Sequence, residues 1–360
     1  MVNTSARQNN FDFIRFAAAT LVWFGHCFTL YDYNAPIRAL GLQVWGVHIF
    51  FIISGYLVTW SYLRHINWRV FVKNRVLRIY PGLAVTVLWG TFLVGPLITL
   101  FSLHDYFSSR DLWQRFFSCI LLTQIDLGSH FWSHLIASSG VYLQLPGVFS
   151  DSSHALEIFN GSLWTIPLEV RCYGAIVILG LLRGLKILPV LFLVFLLFYC
   201  SNKVGAGPTE WAMWDYISFA LGALFYLARD TIRFNGRYLI FFLLLFSVVF
   251  WAPANGLRIL LCLIALTYIV LWFAFLKLPH IGSFGKYGDF SYGIYLFAWP
   301  VQQLCLSLLS RNNFPEFMVL SFVITFVCAL VSWFLIEKPA LYLKESSIRS
   351  NLRSDCLEAK

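Results

Sequence analysis

The chain carries little charge for its length. Only 12% of its 360 residues are Asp, Glu, Lys or Arg, whereas 59% are hydrophobic and the mean hydropathy is +0.72. A soluble domain carries about twice that share of charged residues. This composition excludes an ordinary soluble enzyme and predicts an all-α, polytopic membrane protein, whose aromatic fraction of 19% suits membrane-interface belts.

Cysteine motifs, internal repeats and polar linkers are also absent from the sequence. The eight cysteines are scattered and form no CxxC or Cys/His spacing, which argues against a disulfide framework or a zinc site. The first apolar segment is too long for a signal-peptide core and no cleavage site follows it, so we expect it to stay uncleaved. We therefore expect one membrane domain, 1–345, and a cytoplasmic tail, 346–360.

Apolar runs separated by helix breakers predict about ten transmembrane helices. The fifth run is short and the seventh is barely long enough to cross a bilayer. The predicted spans are 11–31, 44–63, 80–101, 164–182, 187–201, 212–229, 238–254, 257–276, 287–309 and 315–336.

The basic residues predict the orientation of these spans. Eighteen of the 26 Lys and Arg residues fall in segments on the side of the N-terminus, six lie on the other side, and two lie within spans. This positive-inside bias predicts that both termini are cytoplasmic. The net charge of +9 then needs no nucleic-acid partner to explain it.

One long loop, 102–163, is expected to lie over the outer face. It contains four of the eight histidines, His104, His130, His134 and His154. Their spacing matches no metal-ligand pattern, so solvated loop residues are the favoured interpretation and no metal is predicted.

The first predicted helix carries polar groups that cost free energy in a lipid environment. Arg15 and His26 are eleven residues apart, which places them on one helix face about 16 Å apart along the axis. A guanidinium and an imidazole along one face suggest a cleft for a long, anionic, reactive molecule. The alternative is an Arg that extends to the interface and a His satisfied within the core.

A basic stretch follows the second span and precedes Tyr80-Pro81, which is expected to open the third. Arg75 and Arg78 are three residues apart and Lys73 is close by. Guanidinium groups present planar sets of donors that suit phosphate. An ordinary positive-inside loop would explain most of these charges equally well.

Small residues interrupt the second span in the run FFIISGYL. Ser54 and Gly55 permit either close helix packing or the close approach of a ligand. The sequence leaves both alternatives open.

Glu169 lies within the fourth predicted span, roughly 8 Å below the outer boundary by helical rise and level with His26. A carboxylate at that depth could orient an imidazole that acts as general base. The alternatives are a structural ion pair with Arg171 or with Arg258. Because residues two apart on a helix point about 200° apart, Glu169 and Arg171 are poorly placed to pair.

Taken together, these residues resemble the acyltransferase 3 family of integral-membrane O-acyltransferases, which decorate bacterial surface polysaccharides. The matching features run from residue 11 to 339, and their ordered set is specific although each alone is weak. They are the Arg15–His26 spacing, FFIISGYL, Arg75 and Arg78 before Pro81, NGSLWTIPLE, SYGIYLFAWP and WFLIEKP.

The resemblance implies that His26 is catalytic and that Arg15, Arg75 and Arg78 engage acyl-coenzyme A. Family members commonly have a second His in a YLFHWP motif, where this chain has Ala298. A mechanism that needs that His cannot operate here. The SGNH-type esterase domain that some members carry is also absent from this sequence.

We therefore expect acetyl transfer from cytoplasmic acetyl-CoA to a lipid-linked or cell-surface glycan, such as lipopolysaccharide O-antigen, at a bacterial inner membrane. His26 would act as general base with Glu169 as its partner, and Lys73 would join Arg75 and Arg78 at the donor phosphates. Candidate groups for contacting the substrate or the oxyanion are Ser54, Trp164 and Tyr292.

Two alternatives belong to other classes of protein. A glycolipid transporter or flippase would also need charges within the membrane, but it predicts inverted repeats, which the sequence lacks. A non-catalytic receptor or scaffold would leave Arg15 and His26 unexplained.

Overall fold

The computed structural model describes residues 9–65, 67–122, 141–148, 158–204, 207–253, 255–278, 281–309 and 313–343. Within these residues the chain is helical, apart from connecting segments and one isolated β-bridge between Leu143 and Asn160. The α-helices of six or more residues are α1 Phe11–Leu30, α2 Leu42–His65, α3 Trp68–Leu88, α4 Leu103–Ser108, α5 Arg110–Leu121, α6 Ile166–Leu181, α7 Ile187–Ser201, α8 Pro208–Leu227, α9 Gly236–Phe250, α10 Gly256–Phe275, α11 Ser291–Leu308 and α12 Phe314–Ser332. A π-helical segment, Trp89–Val94, and a short helical turn, Gly95–Ile98, continue α3.

The all-helical membrane architecture is confirmed in these residues. Six helical stretches are long and apolar enough to cross a bilayer: Phe11–Leu30, Pro36–Arg64, Trp68–Ile98, Ser162–Leu181, Gly256–Phe275 and Phe314–Leu343. Helices α7 and α9 are apolar but have only 15 residues each. Ten crossings and cytoplasmic termini stay predictions, as do the domain limits; the tail 346–360 lies outside the described residues.

Helices α8 and α11 are not among these six stretches, although the apolar runs predicted spans at 212–229 and 287–309, and both contain polar residues that lower their mean hydropathy. Asp215 lies within α8, and Gln302 and Gln303 lie within α11, all buried by neighbouring helices. Helix α11 packs between α1 and α12, and nearly every one of its side chains is buried. It forms the centre of the bundle and contributes residues to the cavity described below.

The start of the third span differs from the prediction. Helix α3 begins at Trp68 rather than at residue 80, and Pro81 lies inside it. The Asn67 side chain caps the helix by accepting hydrogen bonds from the backbone N–H groups of Arg69 and Val70, at 3.1 and 3.4 Å. The basic stretch is therefore helical, and Arg75 and Arg78 lie one turn apart.

Helices α2 and α8 pack with their backbones in direct contact. A Cβ atom at Gly55 would lie 2.0 Å from the carbonyl oxygen of Phe219, and one at Gly222 would lie 2.1 Å from that of Ile52. Only glycine permits this approach at either position. Gly55 of the predicted small pair thus serves helix packing.

Helices α7 and α9 present large apolar side chains outward. Phe192 and Phe195 of α7 are more than half exposed, as are Ile240 and Leu244 of α9. Exposed apolar faces of this extent are unfavourable in water and are normal against lipid. These two helices therefore form part of the outer wall of the bundle.

Candidate active site

An internal cavity of about 90 Å³ lies among α1, α2, α3, α6 and α11. Apolar side chains such as Phe50, Phe51 and Ile79 form part of its wall. Six of the nine predicted site residues also line it: Arg15, Ser54, Arg75, Arg78, Glu169 and Tyr292. The structure thus brings together residues that are up to 277 positions apart in the sequence.

Two of the arginines converge on one carboxylate that the sequence reasoning missed. Nη2 of Arg78 donates to Oδ2 of Asp289 at 2.5 Å, and Nη1 of Arg15 lies 3.6 Å from the same oxygen. Arg15 also donates to Asp12, at 3.3 Å. Asp12 lies in the first turn of α1 and Asp289 lies just before α11, where carboxylates are favoured by the helix dipole.

Asp289 precedes the first turn of α11, and its oxygens are fully engaged. Oδ1 accepts a hydrogen bond from the Ser291 hydroxyl at 2.5 Å. Two guanidinium groups and the Ser291 hydroxyl surround this buried carboxylate, and these contacts favour its charged form. Asp289 is therefore an ionised counter-charge to both arginines.

Arg75 is held by aromatic rings instead of by a carboxylate. Its guanidinium carbon lies 5.6 Å from the ring centroid of Phe71 and 5.7 Å from that of Tyr173, which are cation–π distances. Its Nε is buried and has no hydrogen-bond partner among the described residues. Since buried donors are normally paired, Arg75 has spare capacity to bind an anion in the cavity.

A second carboxylate, Glu337, lies beside Arg78. It is the last residue of the π-helical turn Trp333–Glu337 that follows α12, and its side chain is almost fully buried. Oε1 accepts from the Ser332 hydroxyl at 2.8 Å, while Oε2 has no partner among the described residues. Glu337 belongs to the WFLIEKP motif, so the sequence contained a signal that pointed to it.

Glu169 forms hydrogen bonds within the cavity. Its Oε1 accepts from the Ser54 hydroxyl at 3.1 Å and from the Tyr173 hydroxyl. Neither bond is the predicted one to His26. The alternative pair with Arg258 is not formed either, because that side chain donates to the carbonyls of Phe250 and Ala252.

His26 lies one helical turn beyond the cavity. Its ring packs edge-on against Trp299, with centroids 4.8 Å apart, and its buried Nδ1 has no hydrogen-bond partner in the described part of the chain. Trp299 follows Tyr295 by one turn of α11, and Tyr295 lines the cavity. An unpaired imidazole nitrogen thus lies beyond the end of the cavity opposite Asp289.

Two predicted site residues lie elsewhere. Lys73 is exposed, because it is two positions from Arg75 and so points to the opposite side of α3. Trp164 is half-buried near Trp211, with ring centroids 6.4 Å apart, and does not line the cavity. The roles assigned to all nine residues stay predictions.

A second buried polar cluster lies between α2 and α8, outside the cavity. Nδ1 of His48 is 3.0 Å from Oδ1 of Asp215 and 3.2 Å from the Ser218 hydroxyl. The Ser218 hydroxyl donates to the Trp214 carbonyl at 2.8 Å. This cluster was not predicted from the sequence.

Metal ligation has no candidate in the part of the chain that the structure describes, since no group of three or more His, Cys, Asp and Glu side chains is suitably placed. His104 is exposed on α4. The other three histidines of the long loop, His130, His134 and His154, lie outside the described residues.

Apolar helices of membrane-spanning length surround an internal cavity. Three arginines and a carboxylate line this cavity, as expected of an integral-membrane protein with a polar interior. The profile of the family described as an acyltransferase domain, acyltransferase 3, matches residues 8–337. The chain belongs to this family, so its class is that of the membrane acyltransferases.

Two relatives match nearly the whole chain. An O-acetyl transferase of Shigella phage Sf6 is 28% identical over 364 residues, covering 96% of this chain and 99% of the relative. Nodulation protein 10 of Rhizobium leguminosarum bv. viciae is 26% identical over 389 residues, covering 97% and 98%. No solved structure matches this chain.

Proposed function

We propose that this protein transfers an acetyl group from cytoplasmic acetyl-CoA to a hydroxyl of a cell-surface glycan, such as lipopolysaccharide O-antigen, in a bacterial inner membrane. The observation that carries the proposal is the single cavity that Arg15, Arg75 and Arg78 line together with Glu169. Guanidinium groups suit the phosphates of a coenzyme A donor. The printed name of the phage relative supports acetyl as the acyl group.

The donor would extend from the arginines toward His26. Its phosphates would bind at Arg75 and Arg78, and its pantetheine arm would pass Tyr292 and Tyr295 on one face of α11. Arg15 and His26 are eleven residues apart on α1, about 16 Å by helical rise, which is comparable to the reach of such an arm. The cavity of about 90 Å³ must widen to admit the donor.

His26 would act as the general base. It would remove the proton of the acceptor hydroxyl as that oxygen attacks the thioester carbon, and the tetrahedral intermediate would then expel the coenzyme A thiolate. The imidazolium would return the proton to the thiolate, which leaves the ester, free coenzyme A and neutral His26. The unpartnered Nδ1 supports this role, because a nitrogen held by another group would not be available.

Four further residues assist His26 in this proposal: Glu169, Ser54, Tyr292 and Trp164. Glu169 would stabilise the imidazolium, which requires it to exchange its hydrogen bonds with Ser54 and Tyr173 for one with His26. Ser54 and Tyr292 line the cavity and are candidate donors to the oxyanion, with Trp164 as the third. To donate there, the Tyr292 hydroxyl must leave the Ile79 carbonyl, to which it donates at 2.9 Å.

The orientation follows from the distribution of Lys and Arg. With ten crossings and both termini in the cytoplasm, the arginine end of the cavity faces the compartment that holds acetyl-CoA. The glycan would then approach His26 from the outer side, beneath the loop 102–163.

The deciding experiment follows radiolabelled acetyl from acetyl-CoA to purified glycan acceptor, with the protein in lipid nanodiscs. We expect transfer by the natural protein and none above background by His26→Ala at equal folded amount. Transfer at the natural rate by the variant would exclude His26 as the base. Movement of a glycolipid across the bilayer without any acetyl transfer would instead support the transporter alternative.

A further inference from the structure

We propose that Asp289 is an internal substitute for a donor phosphate: its carboxylate occupies the meeting point of Arg15 and Arg78, and an incoming phosphate displaces it. This inference rests on the proposed function, because it assigns the donor phosphates to these arginines. It adds a residue that governs donor affinity without touching the reacting atoms.

One carboxylate oxygen of Asp289 lies between two guanidinium groups that come from different helices. Oδ2 of Asp289 accepts from Arg78 at 2.5 Å and lies 3.6 Å from Arg15, whose helix is a different one. The other oxygen is held by the Ser291 hydroxyl at 2.5 Å. A phosphate oxygen bound by the same two guanidiniums requires this same position.

The charges around the cavity make joint occupancy unfavourable. Three arginines line the cavity, and four carboxylates accompany them: Glu169, which also lines it, and Asp12, Asp289 and Glu337 nearby. A polyanionic donor placed beside these groups would meet like charges at short range in a poorly solvated site. Asp289 must therefore release the arginines before a phosphate can bind them fully.

Release of the arginines costs Asp289 its hydrogen bonds from the hydroxyl and the backbone N–H of Ser291, but it breaks no backbone–backbone hydrogen bond of α11. It lies in the short connection between the 3₁₀ turn Phe284–Tyr287 and α11, next to Gly288. Gly288 has a φ of +133°, a conformation that favours glycine. The Asp289 side chain can rotate away from the arginines while α11 remains intact from Ser291 onward.

Asp289→Asn tests the inference, with Asp230→Asn as a matched control. Asp230 is an exposed acid on the connection after α8, its side chain 85% exposed beside Arg229, so its substitution removes the same charge far from the cavity. The measured quantities are the Kd of non-acylated coenzyme A for protein in nanodiscs and the KM and kcat for acetyl-CoA.

We expect Asp289→Asn to lower the Kd and the KM by about five- to tenfold, as expected for removal of one partly screened charge competitor. We expect kcat not to rise, because a product that binds more tightly leaves more slowly. Asp230→Asn should leave all three quantities unchanged.

A higher Kd in Asp289→Asn would show that the carboxylate holds the arginines in place for the donor, and an unchanged Kd would show that it does not compete; either result overturns the inference. If Asp289→Asn does not fold, Ser291→Ala keeps the carboxylate but removes its hydrogen bond, and the Kd must then fall by a smaller factor. Natural protein that neither binds coenzyme A nor transfers acetyl would refute the proposed function itself.

Discussion

Two buried polar regions within the bundle differ in how completely their atoms are paired. In the first, around the cavity, His26 Nδ1, Arg75 Nε and Glu337 Oε2 are buried without hydrogen-bond partners among the described residues. In the second, His48 and Asp215 form a pair 3.0 Å apart whose side chains are only 5% and 3% exposed, and Ser218 completes it.

This difference is the one expected between the proposed binding region and a structural cluster. Polar side chains inside a membrane bundle are costly, so a fully paired cluster between two packed helices is accounted for by packing alone. Unpaired atoms around an internal cavity are not accounted for by packing, because buried polar groups are normally satisfied. The presence of charge within a span is therefore less informative than whether that charge has a partner.

The largest expected effect is the loss of activity on substitution of His26, one of the unpaired residues around the cavity. His26→Ala should lower kcat for acetyl transfer by about 10²- to 10⁴-fold, the usual contribution of a general base, with little change in thermal stability. Radiolabel transfer in nanodiscs measures it. The control is His104→Ala, since that His is 88% exposed on α4 and should leave activity unchanged.

Substitutions in the paired cluster of His48 and Asp215 should lower the stability of the fold without lowering kcat. His48→Ala leaves Asp215 buried without its partner, which should lower the free energy of unfolding by about 3–5 kcal/mol. Thermal unfolding in nanodiscs measures the loss, and kcat per folded molecule should stay within about twofold. Replacing both His48 and Asp215 by leucine should recover most of the lost stability, because no charge then remains buried. Loss of acetyl transfer in this folded double variant would contradict a purely structural role for the cluster.

Arg78→Lys tests whether the arginine end of the cavity recognises phosphate by geometry or by charge. Lysine keeps the positive charge but cannot offer two parallel donors, so KM for acetyl-CoA should rise by about tenfold, the loss of one charge-assisted hydrogen bond. Arg69→Lys is the matched control, because Arg69 is exposed on the same helix. Equal KM values in both variants would mean that charge alone suffices at Arg78.

The smallest effect is expected at Lys73. Since this side chain is exposed and points away from Arg75, Lys73→Ala should change KM for acetyl-CoA by less than about twofold and unfolding free energy by less than about 0.5 kcal/mol. Steady-state kinetics at several salt concentrations measure it. A tenfold rise in KM would restore Lys73 to the donor site that the sequence predicts.

The sequence predicted where the apolar helices lie, because long apolar runs are a local property, although the count of ten crossings stays a prediction. The start of α3 was missed because Pro81 was interpreted as a helix start, whereas a proline within a long helix is tolerated when neighbouring helices stabilise it. Once α3 is known to begin at Trp68, the opposite direction of Lys73 follows from helical geometry alone.

The partners of the site residues were harder to predict than the residues themselves. Asp289 is 211 positions from Arg78, and no local pattern relates the two. Tyr173, in contrast, follows Glu169 by four residues on α6, so their hydrogen bond was accessible from helical spacing. Equal depth in the membrane suggested His26 as the partner of Glu169, but depth does not specify the direction of a side chain.

The glycine contacts between α2 and α8 have a mechanical consequence. At Gly55 and Gly222 a carbonyl oxygen of the facing helix lies so close that not even a methyl group would fit. Helices α2 and α8 can therefore neither slide nor rotate independently, and they move as one rigid pair. If the bundle opens to admit a nucleotide-sized molecule, we expect the movement to occur on the other side of the cavity, between α3 and α11, where side chains form the contact. A covalent tether between α3 and α11 should lock the protein shut, whereas one between α2 and α8 should leave it working.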